Sequence, residues 1–201
     1  MTVIKFCGMT REDDVALAGE LGVNAVGFVL WPKSPRCVDN SRLASLIKIL
    51  PPHVTPVGVF VSPDQTDLDR ARAAGVRVVQ VHAAHGKPFE GGTFDGEIWV
   101  AYPLDADLDV VPRDRTLVLD AHDPVRHGGT GCTIDWVRAA TIAAGRRVML
   151  AGGLTPANVG AAIRQVHPYG VDVATGIEDR PGIKNAQAMT AFVAAVREAE
   201  V

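Results

Sequence analysis

Two side chains of this 201-residue sequence stand where they could exchange protons with a substrate. Cys7 closes the short run Val3-Ile4-Lys5-Phe6 and precedes Gly8, so its thiol falls at the end of a strand, a position suited to a reactive sulfur. Asp120 closes a second run, Thr116-Leu117-Val118-Leu119. A carboxyl group at the rim of an apolar core is expected to keep its proton to higher pH, which suits a general acid. A free thiol has a pKa of about 8.5, so a base at Cys7 needs surroundings that favour the thiolate. The plainer alternatives are a small buried cysteine and an aspartate that caps the next turn.

Other strand-end residues suit an anionic ligand. Gly152-Gly153 and Thr175-Gly176 follow two adjacent strands, and glycine turns let backbone amides approach a phosphate as well as allowing tight connections. Arg36 and His82 also fall at strand ends. No G-x-x-x-x-G-K-[ST] string occurs, and no G-x-G-x-x-G opens the first helix. Asp120, His122, Asp123, His127 and Cys132 fall within thirteen residues and have types that suit a divalent ion. No metal is expected there, because Gly128-Gly129-Thr130-Gly131 reads as a loop and only His82 offers a histidine at another strand end. His53, His85 and His167 read as surface or loop residues.

These residues need a scaffold that gathers strand ends. Short β-branched runs alternate with Ala-rich stretches of helical period, the pattern of parallel βα units. Strands are expected over 3–7, 25–30, 55–61, 76–82, 98–102, 116–120, 148–151 and 171–175, and helices over 11–21, 41–50, 64–74, 134–144, 156–166 and 186–200. Thr10 with Asp13, Ser62-Pro63 with Gln65, and Thr155-Pro156 read as helix starts. Segments 86–96 and 105–114 are rich in Gly, Asp and Pro, so the fourth and fifth helices should be short or degenerate. The expected fold is a single-domain (β/α)8 barrel, with a doubly wound open sheet as the competing architecture. In a barrel the site lies at the C-terminal ends of the strands.

Composition narrows the functions. With 20 Lys+Arg against 23 Asp+Glu the net charge is −3 and the pI is near 6.0, which speaks against general nucleic-acid binding. The 47% hydrophobic content supports a full core. Three widely spaced cysteines without a C-x-x-C pair suggest neither a disulfide framework nor a zinc ribbon. The N-terminus reads as neither a signal peptide nor a membrane span, so a cytoplasmic protein is expected.

An ordered set of motifs is more specific: Lys5-Phe6-Cys7-Gly8-Met9-Thr10, Val26-Gly27-Phe28 through Pro32-Lys33-Ser34-Pro35-Arg36, Val57-Gly58-Val59-Phe60, Gln80-Val81-His82, Leu119-Asp120 with Gly128-Gly129-Thr130-Gly131, Gly152-Gly153-Leu154, Asp172-Val173 and Pro181-Gly182. The chain resembles the phosphoribosylanthranilate isomerase family of tryptophan biosynthesis over 3–184.

The resemblance implies a (β/α)8 barrel, no metal or organic cofactor, and an Amadori rearrangement of N-(5-phosphoribosyl)anthranilate; the sequence leaves monomer and homodimer open. Carried onto this chain, Asp120 protonates the furanose ring oxygen, Cys7 removes the C2 proton, and Arg36 holds the anthranilate carboxylate. His82, Gly152, Gly153, Thr175 and Gly176 contact substrate. Arg suits a planar carboxylate because its fork of donors reaches both oxygens. Lys5 shares the face of Cys7 one step deeper, about 6 to 7 Å along the strand.

Phe6, Ala83, Ala151, Ala174 and Asn185 depart from the family pattern, and the two alanines beside the glycine turns bear on phosphate affinity. The competing functions are another phosphate-binding barrel enzyme and a non-catalytic phosphate-metabolite sensor. The enzyme alternatives are a metal-dependent ribulose-phosphate epimerase, a histidine-pathway aminoaldose isomerase, or one enzyme acting on both isomerase substrates. Cys7 on the first strand, where the histidine-pathway enzyme uses an aspartate, argues against that substrate.

Overall fold

Residues of opposite parity along a strand point to opposite faces, and in a parallel sheet both faces must be covered. The computed structural model, which describes residues 1–82, 92–104, 107–108, 111–120 and 135–200, meets both needs with a closed barrel of eight parallel strands in chain order. The strands are β1 (Val3–Cys7), β2 (Ala25–Val29), β3 (Thr55–Val61), β4 (Val78–His82), β5 (Glu97–Pro103), β6 (Thr116–Asp120), β7 (Val148–Leu150) and β8 (Gly170–Val173). Strand β8 returns to pair with β1, with Lys5 opposite Asp172 in the register.

Six α-helices lie among the described residues: α1 (Glu12–Glu20), α2 (Asn40–Ile47), α3 (Gln65–Ala73), α4 (Trp136–Ala143), α5 (Val159–Val166) and α6 (Ala186–Ala199). No helix occurs among the described residues that follow β4 and β5, where the helical ring was expected to be thin. A 3-10 turn over Thr175–Ile177 and a small antiparallel hairpin, β9 (Glu178–Arg180) with β10 (Ile183–Lys184), intervene before α6. This hairpin was not expected from sequence, its strands being only three and two residues long, and β8 ends at Val173 rather than at Thr175. No helix among the described residues is long and apolar enough to cross a membrane.

Strand parity divides the core into two layers. Cys7, Val57, Val59, Val78, Trp99, Ala101, Val118, Met149 and Ala151 pack together inside the barrel. Ile4, Phe6, Val26, Phe28, Val79, Val81, Leu117 and Leu119 face outward into the helical layer. Phe6 meets Phe192 of α6 edge-on, with ring centroids 6.0 Å apart, so its bulk is used outside the barrel and away from the site.

The three hydroxyl caps expected from sequence do not form. The N-cap of α1 is Arg11, without a side-chain capping bond, while the Thr10 hydroxyl donates to the Gly182 carbonyl. Helix α3 is capped by Asp64 in a reciprocal box with Asp67, and Ser62 takes a left-handed φ of 47° just before it. Helix α5 starts at Val159, and the Thr155 amide donates to Asn158 Oδ1. The Thr10 hydroxyl is drawn to a partner distant in sequence, and at α3 the Asp64 carboxylate takes the capping place instead of Ser62.

Candidate active site at the barrel mouth

Cys7, Arg36, His82, Asp120, Gly152, Gly153 and Thr175 line a single cavity at the C-terminal ends of the strands. Its empty space is about 790 Å³, including the mouth open to solvent, and Trp31, Gln80, Leu154 and Asp172 complete much of the wall. Seven of the eight residues anticipated as catalytic or substrate-binding therefore converge. Gly176 stands next to them and has a different constraint: a Cβ there would lie 1.9 Å from the Leu154 carbonyl oxygen. Its lack of a side chain lets the Thr175 turn close against the turn after β7.

The glycines of that neighbouring turn serve backbone geometry directly. Gly152 and Gly153 have φ of 78° and 67°, values that side-chain-bearing residues adopt at a cost. Asn158 Nδ2 donates to the Gly153 carbonyl at 2.9 Å. Neither glycine amide has an acceptor among the described residues, which leaves two donors beside the cavity. Ala151 and Ala174 also line it, so these departures from the family pattern lie directly at the site.

Cys7 is buried, and its Sγ stands 2.9 Å from the point a Gly27 Cβ would occupy. Burial pushes the thiol above its ordinary value, while the Lys5 and Lys184 ammonium groups pull it down. Among the described residues, Cys7 and Cys37 are free thiols. Cys132 lies outside the described residues, as do His85, Ala83 and the loop residues His122, Asp123, His127 and Gly128 to Gly131. No group of three or more His, Cys, Asp or Glu among the described residues could hold a metal ion.

Arg36 is placed by residues far away in sequence. Its Nε donates to Glu178 Oε1 at 2.9 Å and its Nη2 to Oε2 at 2.7 Å, a two-pronged pairing that fixes the guanidinium plane. Gly8 makes room for this arm, since a Cβ there would sit 2.6 Å from Arg36 Cδ. Glu178 also accepts from Lys184 Nζ at 2.9 Å and from the Gly182 amide at 3.1 Å. These partners hold its carboxyl below the usual range against the opposing effect of burial. Lys184 Nζ further donates to the carbonyls of Cys7 at 2.6 Å and Ala174 at 3.1 Å. One buried network thus ties the ends of β1 and β8 to the arginine.

Lys5, Asp172, Glu178 and Lys184 were not anticipated as site residues. An isolated charge inside an apolar strand was a usable signal for Lys5 and Asp172. Glu178 had no local signal, since its partner Arg36 is 142 positions distant. On the opposite wall, Gln80 Nε2 lies 3.3 Å from His82 Nε2, while Gln80 Oε1 and Asp172 Oδ1 are buried without a partner. Buried orphan acceptors lining a cavity are suited to ligand donors.

The fold and the sequence over its full length have counterparts among known proteins. A family described as N-(5'phosphoribosyl)anthranilate (PRA) isomerase matches residues 4–195. The N-(5'-phosphoribosyl)anthranilate isomerase of Pelobacter propionicus is 39% identical over 203 aligned positions, covering 98% of this chain and 97% of its own. The solved phosphoribosyl anthranilate isomerase of Thermus thermophilus superposes with a TM-score of 0.85 at 33% identity, covering 98% of this chain and 99% of its own. Another solved isomerase, in complex with reduced 1-(o-carboxyphenylamino)-1-deoxyribulose 5-phosphate, gives 0.84 at 29% identity over 98% of this chain and 100% of its own. With a full-length match in sequence and a closed barrel carrying the expected strand-end set, the chain belongs to the N-(5'-phosphoribosyl)anthranilate isomerase family.

Proposed function

We propose that this cavity converts N-(5-phosphoribosyl)anthranilate into 1-(2-carboxyphenylamino)-1-deoxyribulose 5-phosphate, a step of tryptophan biosynthesis in the cytoplasm, with Asp120 as general acid and Cys7 as general base. The observation that carries the assignment is the meeting of Cys7, Asp120 and Arg36 with two glycine turns around one cavity. Asp120 gives its proton to the furanose ring oxygen as the C1–O bond breaks, and the nitrogen lone pair forms a protonated C1=N Schiff base. The Cys7 thiolate then takes the C2 proton. The electrons of that C–H bond form C1=C2, and those of the C=N bond return to nitrogen. The enolamine becomes the ketose by moving the hydroxyl proton of C2 to C1.

The rest of the cavity orients the substrate. The free Gly152 and Gly153 amides and the turn at Thr175 suit the phosphate, and Arg36 suits the anthranilate carboxylate through the edge that Glu178 leaves open. His82 and Gln80 line the same cavity from β4 and suit the sugar hydroxyls. A local cation and oriented amides provide attraction for an anionic substrate on a chain of net charge −3.

The first test is turnover of freshly generated phosphoribosylanthranilate, followed as loss of anthranilate fluorescence with and without a chelator. Turnover indifferent to the chelator is expected, and absence of turnover from folded protein overturns the proposal. Arg36→Ala is expected to raise KM about 10- to 100-fold with a smaller change in kcat, the loss of one charge-assisted contact to the substrate. Steady-state kinetics check the split. A kcat loss with unchanged KM rules out carboxylate binding as the main role of Arg36.

A further inference from the structure

Lys5 is fully buried inside the barrel, where an ammonium group is costly unless matched. Asp172, its register partner on β8, lies 2.7 Å from Nζ and supplies the match. The Lys5 stem does more than reach this partner. Its Nζ and Cε each stand 3.1 Å from the point a Gly27 Cβ would occupy, and Cys7 Sγ stands 2.9 Å from the same point. Gly27 is the register partner of Cys7 on β2, so its missing side chain opens the space that sulfur and ammonium share. The one-step separation expected along β1 is spanned by the four-carbon stem.

We propose that Lys5 is a positioning residue for Cys7: held by Asp172, its ammonium stabilises the thiolate that takes the C2 proton. The inference rests on the assignment of Cys7 as the base. The thiol proton leaves to water, the thiolate lone pair accepts the substrate proton, and Lys5 stays charged throughout.

The electrostatic surroundings agree in sign. Lys5 from β1 and Lys184 from β10 favour the thiolate, while burial and Asp172 from β8 oppose it. Asp172 together with the thiolate keeps Lys5 above its ordinary value despite full burial. Arg36 reaches this group from the segment after β2, and among the described residues His82 and Asp120 are the other titratable groups of the lining.

The test measures the Cys7 thiol pKa from the pH dependence of iodoacetamide alkylation, with the Cys7 peptide followed by mass spectrometry so that Cys37 and Cys132 do not interfere. Asp172→Asn removes the competing anion and is expected to lower the thiol pKa. Adding Lys5→Met to that variant is expected to raise it again by about one to three units, the usual effect of removing an opposite charge at close range. At pH 7, kcat/KM should fall between these two variants by the same factor as the thiolate fraction, about tenfold per unit.

Equal alkylation profiles for the two variants overturn the proposal. Should the double variant not fold, Lys5→Gln with Asp172→Asn takes its place, and a thiol pKa equal to that of Asp172→Asn alone overturns the proposal. A shifted thiol without any matching change in turnover instead removes Cys7 as the base and leaves the Lys5 coupling standing.

Discussion

Cys7→Ser is expected to lower kcat by about 10²- to 10⁴-fold with little change in KM, the usual loss for removing a general base. Serine keeps the size and the hydrogen-bonding capacity of the side chain, so the buried end of β1 and the Lys184 bond to the Cys7 carbonyl survive. A serine hydroxyl does not ionise near neutrality, however, whereas a thiol is several units more acidic by nature, although burial raises the pKa of Cys7. In the proposed mechanism the thiolate is the active form, so turnover grows with anything that lowers the thiol pKa. Steady-state kinetics on the fluorescent substrate measure the loss. Near-normal turnover of Cys7→Ser would exclude the thiol as the base, whatever the fold.

Asp120→Asn should produce a comparable fall in kcat, about 10²- to 10⁴-fold, for a different reason. Asparagine is the same size, stays at the end of β6 beside the cavity, and can still donate a hydrogen bond. It has no proton to give up to a ring oxygen. Ring opening then has to proceed without a positioned acid, and substrate binding is nearly preserved because the cavity keeps its shape. Single-turnover measurements separate the two outcomes: a slow chemical step after normal binding supports the acid role, while weakened binding with a normal chemical step assigns Asp120 to substrate contact.

In the proposed mechanism the two substitutions act on successive steps, whereas Arg36 and the glycine turns serve binding. Gly8 and Gly27 show how this division is built into the backbone. One lacks a side chain so that Arg36 can cross the end of β1, and the other so that Cys7 and Lys5 can converge.

Much of this was legible in the sequence. Short β-branched runs located all eight strands within a few residues, because a parallel barrel strand is covered on both faces and reads as nearly continuous hydrophobicity. Cys7, His82, Asp120 and the turns at Gly152 and Thr175 were found by looking only at residues that end such runs, since a parallel barrel brings those ends to one face. Helix boundaries were less legible. Thr10 has the type of an N-cap, but a hydroxyl is used wherever its best acceptor lies, and here that is Gly182.

The order of strand ends, and with it the family chemistry, was therefore determined by the sequence itself, because side-chain periodicity and strand termini are local properties. Only the tertiary structure decided how the site is held. The Lys5–Asp172 pair depends on β8 closing against β1, across 167 positions, and the Arg36–Glu178 fork depends on the hairpin after β8 folding back over the mouth. Electrostatic coupling falls with distance in space and takes no account of distance along the chain, so barrel closure alone determines which charges meet the thiol.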